Sequence, residues 1–186
     1  GSGTISAFGG AKFKKFDYDF MDDPLQASNP YANASSDPIH ALYPAANPWE
    51  SCGWAMEFTD FDADGQHHKN SGVQFNVSTL GHLEDNIIVE MDVRVKRYSS
   101  RFFRLQYSID GMSFVDYGAA PFEANQNFGD ADHWYNNLTM NLTGVAGVAN
   151  NANFAFRFVA EHAPGTSIYV PAQIPPNSSK PISSGG

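Results

Sequence analysis

Phe154-Ala155-Phe156-Arg157-Phe158-Val159-Ala160-Glu161 sets a phenylalanine at every second position of its first half, with Arg157 and Glu161 on the alternate positions. An extended chain turns successive side chains to opposite faces. This period of two therefore puts three aromatic rings on one side of a strand and charge on the other. The alternation recurs through most of the chain. Ile87, Val89, Met91, Val93 and Val95 interleave with Ile88, Glu90, Asp92, Arg94 and Lys96, and Phe103, Leu105, Tyr107 and Ile109 form the expected neighbouring strand. Asp110-Gly111 is a turn signal after which Phe114 to Tyr117 returns as the second arm of a hairpin. Shorter runs at Phe16/Tyr18/Phe20, Trp54/Met56/Phe58, Val73/Phe75/Val77, Leu138/Met140/Leu142 and Ile168 to Val170 complete the set. No stretch of ten or more residues carries a helical period, and only residues 144–149 have room for a helical turn. The reading is all-β: an antiparallel β-sandwich or jelly roll of about nine strands.

The 186 residues suit one domain, and a 42% hydrophobic share gives it a core that needs no covalent staples. One cysteine, Cys52, excludes an intrachain disulfide and is expected to be a buried apolar residue. The formal charge of −9 argues against nucleic acid, which needs a basic stripe to displace counterions. The one basic cluster in mid-chain, Arg94, Lys96, Arg97, Arg101 and Arg104, alternates along two strands taken as adjacent and reads as a solvated sheet face. No apolar run approaches the ~18 residues of a membrane span, so none is expected.

Three segments follow from composition. Residues 1–11 are small and glycine-rich and read as a flexible or exchangeable arm carrying Ile5 and Phe8. Residues 12–171 hold the β domain, including a long loop over residues 22–50 in which Pro24, Pro30, Pro38, Pro44 and Pro48 remove ladder donors. Residues 172–186, rich in Pro, Ser and Gly, read as a linker or extended arm.

The strongest metal signal is Asp60-Phe61-Asp62-Ala63-Asp64-Gly65, since a hard cation wants several carboxylate oxygens close together in a glycine-closed turn. The twelfth position of that loop is Ser71 rather than Glu and no helices are expected to flank it, which argues against an EF-hand; the two readings left are a sandwich calcium loop completed by Asn70 or a carbonyl, and an acidic surface turn. Asp130-Ala131-Asp132 is a weaker acidic turn. His67 and His68 point opposite ways on an extended chain, which disfavours a shared transition metal. No assembled catalytic motif is present, so the expectation is a protein that is not an enzyme. Exposed aromatic rings stack on the apolar faces of sugars, and Trp49, Tyr43, Trp134 and Tyr135 are the candidates for that contact. Asn-x-Ser/Thr triplets begin at Asn33, Asn76, Asn137, Asn141 and Asn177.

Val73-Gln74-Phe75-Asn76-Val77-Ser78-Thr79, Phe103-Arg104-Leu105-Gln106-Tyr107-Ser108-Ile109-Asp110-Gly111, Trp134-Tyr135-Asn136-Asn137, Gly144-Val145-Ala146-Gly147-Val148 and Asn153-Phe154-Ala155-Phe156-Arg157-Phe158-Val159 together resemble β-sandwich modules of secreted bacterial surface proteins. These are of the type found with PEP-CTERM-like sorting tails. The resemblance covers residues 54–170 and implies an extracellular, cell-surface, non-catalytic role in contact with polysaccharide or matrix. Such modules close with a further strand after the stretch corresponding to Ala163-Pro164-Gly165-Thr166, where this chain continues as a proline-rich segment. That leaves an open sheet edge for the N-terminal arm of a neighbouring copy. Two functions are thus expected: a glycan- or matrix-binding module supported by calcium, or a structural subunit joined to its own copies by strand exchange into a filament or lattice.

Overall fold

The computed structural model describes residues 3–18, 54–59, 68–83, 86–124 and 132–173. Among these residues there is no helix. Ten strands follow in chain order: β1 Gly3–Phe8, β2 Lys12–Tyr18, β3 Trp54–Thr59, β4 Gly72–Val77, β5 Ile88–Lys96, β6 Phe102–Ser108, β7 Val115–Asp116, β8 Phe122–Glu123, β9 Asp132–Asn141 and β10 Ala155–Glu161. All pairings are antiparallel. The largest sheet has the order β1-β4-β10-β6-β7, with β8 also on β6; β2 pairs β3, and β5 pairs β9.

The aromatic alternation of β10 decides what lies inside. Phe156 faces Phe75 of β4 and Tyr107 of β6, Phe158 faces Val73 and Leu105, and Ala160 faces Phe103. The Phe75 and Phe156 rings stack at 4.6 Å, as do those of Phe103 and Phe158. Val95 of β5 and Met140 of β9 enter the same buried cluster as Phe103, Leu105, Phe154 and Phe158. The β5–β9 pair therefore shares one core with the six-stranded sheet, a sandwich-like arrangement. Burying each large apolar side chain contributes about 1.5–3 kcal/mol. Ile87, Val89, Met91 and Val93 all pack on this cluster, which is the inward set that their alternation requires.

β9 keeps its inward set by a bulge. Met91 pairs Leu138 while Val93 pairs Tyr135, so Asn136 and Asn137 together oppose Asp92. Asn137 takes the left-handed conformation, φ 59°, and its N–H donates to the Asp92 carboxylate at 2.8 Å. Asparagine adopts that conformation more readily than other residues with a side chain. The extra residue lets Tyr135 and Leu138, three apart, both face the core. Glycine is required at Gly72, where a Cβ would lie 2.2 Å from the Phe158 carbonyl oxygen across the β4–β10 ladder.

Several expectations change here. The strands around Ile87–Val95 and Phe103–Ile109 are not neighbours: β5 pairs β9, and β6 lies between β10 and β7. The basic residues from Arg94 to Arg104 accordingly do not form one solvated face, and Arg104 is only 4% exposed. Alternation fixes which face a side chain takes but not which strand lies beside it. Ile168 to Val170 form no strand. Instead the Val170 carbonyl accepts the Arg101 N–H at 2.8 Å, and Pro171, which lacks a donor, makes an isolated bridge to Ser100. Residues 172 and 173 belong to the folded unit, since Ala172 and Gln173 donate to Ser99 and Arg97 carbonyls and are buried. Residues 3–8 of the expected arm run as β1, paired along their whole length with β4 of the same chain. The proline-rich loop over residues 22–50 lies outside the described residues.

Candidate functional site

The face of the six-stranded sheet turned away from the core carries one continuous polar row. Ser6 of β1 pairs Gln74 of β4, Gln74 pairs Arg157 of β10, Arg157 pairs Gln106 of β6, and Gln106 pairs Asp116 of β7. Each of these residues sits at an alternate position to a core-facing one, so the pleat lifts all five to the same side. Arg157 Nε donates to Gln74 Oε1 at 2.7 Å, and Gln106 Nε2 donates to Asp116 Oδ1 at 2.8 Å. Gln74 Nε2 donates to Asn76 Oδ1, and Asn76 Nδ2 donates in turn to Thr4 Oγ1. The amides are thus held in fixed orientations by their neighbours.

Two rings flank the centre of the row. The Arg157 guanidinium carbon lies 4.4 Å from the centroid of Phe8 and 3.4 Å from that of Phe114. Cation–π contact of this kind contributes about 0.5–2 kcal/mol. Burial pushes the Arg157 guanidinium below its ordinary pKa. The left-handed turn at Lys69, φ 59°, brings its ammonium to 2.5 Å from Asp116 and 3.5 Å from Glu161. Arg104 grips Glu161 with two hydrogen bonds, Nε to Oε2 at 2.7 Å and Nη2 to Oε1 at 2.9 Å, and the hydrogen bond to Glu161 raises its pKa. At Asp116 burial pulls the carboxyl pKa upward, but bonds from Gln106 and Lys69 and the charges of Lys69 and Arg104 outweigh it and leave the pKa lowered.

Beside this network His68 stacks on His162 at 4.4 Å, and Tyr169 meets His162 edge-on at 4.5 Å. His68 Nδ1 accepts the His162 backbone N–H at 3.0 Å. Burial lowers the His68 pKa, the neighbouring His162 lowers it further, and these outweigh the opposite pull of Glu161.

Of the residues expected to contact ligand, Tyr135 is half-buried on the core face and lies edge-on to Phe122 at 5.1 Å, so its ring is engaged in packing. Trp134 occupies the β9 position opposite Arg94. Trp49 and Tyr43 lie outside the described residues, as do Asp60, Asp62 and Asp64. Asn70 is exposed. Among the described residues no group of His, Cys, Asp and Glu is placed to hold a metal, so calcium rests on the acidic spacing in the sequence alone. No helix among the described residues is long and apolar enough to cross a membrane.

The sequence shows the polar row only in part. Arg157 and Glu161 stood out as the charged positions of β10, but Gln74, Gln106 and Asp116 line up with Arg157 only through pairings distant in sequence. The one local signal was a polar residue at each alternate position of Val73–Val77 and Phe103–Ile109. No family model, curated protein sequence or solved structure matches the chain.

Proposed function

We propose that this chain is a non-catalytic, extracellular glycan-binding module whose ligand lies along the row from Ser6 to Asp116. One observation carries the reading. Gln106 is 7% exposed, and its Oε1 has no hydrogen-bond donor among the described residues. Leaving a buried acceptor unsatisfied costs about 1–3 kcal/mol, which makes it a place where a bound group has something to supply. A sugar hydroxyl seated on the row is such a donor once the Gln106 amide turns its oxygen outward to meet it. The neighbouring amides and guanidinium offer further acceptors and donors to vicinal hydroxyls, and the Phe8 and Phe114 rings supply apolar surface.

Titration calorimetry against a panel of soluble polysaccharides tests the reading. Gln106→Leu, of similar length, removes the acceptor and with it the donor to Asp116, so at least a tenfold loss of affinity is expected while the fold, followed by circular dichroism, is retained. Equal affinity in the variant refutes the assignment of the site.

A second reading, self-assembly by strand exchange, is favoured by β1. It lies at the border of its sheet, its first four residues are exposed, and Gly9 and Gly10 follow it with φ of 62° and 92°. A peripheral strand on such a hinge loses little by pairing with β4 of another copy.

A further inference from the structure

We infer that the glycan taken by this face carries a carboxylate, and that Arg157 anchors it. The inference rests on the glycan reading above and adds the class of sugar. Three cations, Lys69, Arg104 and Arg157, stand over this sheet face with two carboxylates, Asp116 and Glu161. Both carboxylates are already engaged. Glu161 holds Arg104 and Lys69, and Asp116 holds Lys69 and Gln106 with Arg104 3.7 Å away. Arg157 has no carboxylate partner among the described residues, and its one hydrogen bond there uses Nε. Its two Nη groups are left as donors.

Arg157 is also half-buried and lies against two phenyl rings, which strip water from the guanidinium without neutralising it. A cation held this way in a chain of net charge −9 is not a by-product of composition. Among these five described groups the surplus is a single positive charge, which a monoanion balances; a phosphate dianion would bring excess negative charge next to Asp116. The guanidinium edge presents parallel N–H donors at the spacing of two carboxylate oxygens, and Gln106 Oε1 then receives a hydroxyl of the same sugar.

The full chain is titrated with polygalacturonate, alginate and hyaluronan, with methyl-esterified polygalacturonate, and with dextran. Binding to at least one carboxylated polymer is expected, weakened tenfold or more in the methyl ester and weakened further by salt. Arg157→Gln should abolish the preference for acid over ester, and Arg157→Lys, which keeps the charge but not the fork, should retain part of it. The ester arm uses the unaltered protein, so a folding defect in either variant does not decide the outcome. Equal affinity for acid, ester and dextran overturns the carboxylate while leaving the glycan reading intact. No binding to any of these polymers at about millimolar sugar overturns both.

Discussion

Arg104 donates two hydrogen bonds to the Glu161 carboxylate, and the two residues are only 4% and 8% exposed. Removing ions from water costs several kcal/mol each, and the pair recovers this only because both ends are bonded; losing one partner strands the other, at about 3–5 kcal/mol. The pair therefore holds β6 and β10 in one register as much as it stabilises the fold. His68 makes the site sensitive to pH. Its pKa lies below the ordinary 6.5, so the unfolded chain binds the proton more readily than the folded one. Stability is present in full above the ordinary value and is lost as pH falls through the lower folded value. The melting temperature should fall between about pH 7 and pH 5, and His68→Gln, which keeps an acceptor for the His162 N–H but does not titrate, should fall less. An identical drop in the variant would rule His68 out as the source. Nothing near His68 in the sequence announces this contact, since its partner His162 lies 94 positions along the chain.

At the scale of elements, the facing of side chains was legible and the partners of strands were not. The alternation over Ile87–Val95 and Phe154–Phe158 named core residues that do pack in the core. The same pattern is silent on whether β5 lies beside β6 or β9, because either choice buries the same face. The bulge at Asn136 and Asn137 is a further element-scale feature that periodicity misses: Tyr135 and Leu138 break a period of two, yet both face inward. Core and border of the large sheet should differ sharply in mutational cost. Phe158, 6% exposed between Phe103 and Phe122, should lose about 3–5 kcal/mol on truncation to alanine. Ile5, 46% exposed on β1, should lose under about 1 kcal/mol. Urea denaturation of the two variants checks this, and similar losses would mean that β1 is as deeply packed as β10.

For the whole molecule, the order β1-β4-β10-β6-β7 joins strands that are far apart in sequence. This explains why composition and pattern reached the all-β class but neither the sheet order nor the row that crosses it. It also sets the test of self-assembly. If β1 pairs between copies, light scattering of the full chain should show species that grow with concentration, and removal of residues 1–10 should leave only monomer. A full chain that stays monomeric at about 1 mM excludes that reading and leaves β1 as the support of Phe8 beside Arg157.

β10 fills the space between β4 and β6, yet it is the last of the described strands to leave the ribosome. At about 5–20 residues per second, several seconds separate the emergence of β6 from that of β10. Through that interval the nascent chain holds two vacant ladders with no strand to bridge them. Acquisition of the native state is consequently a late event, completed only when synthesis has passed Glu161.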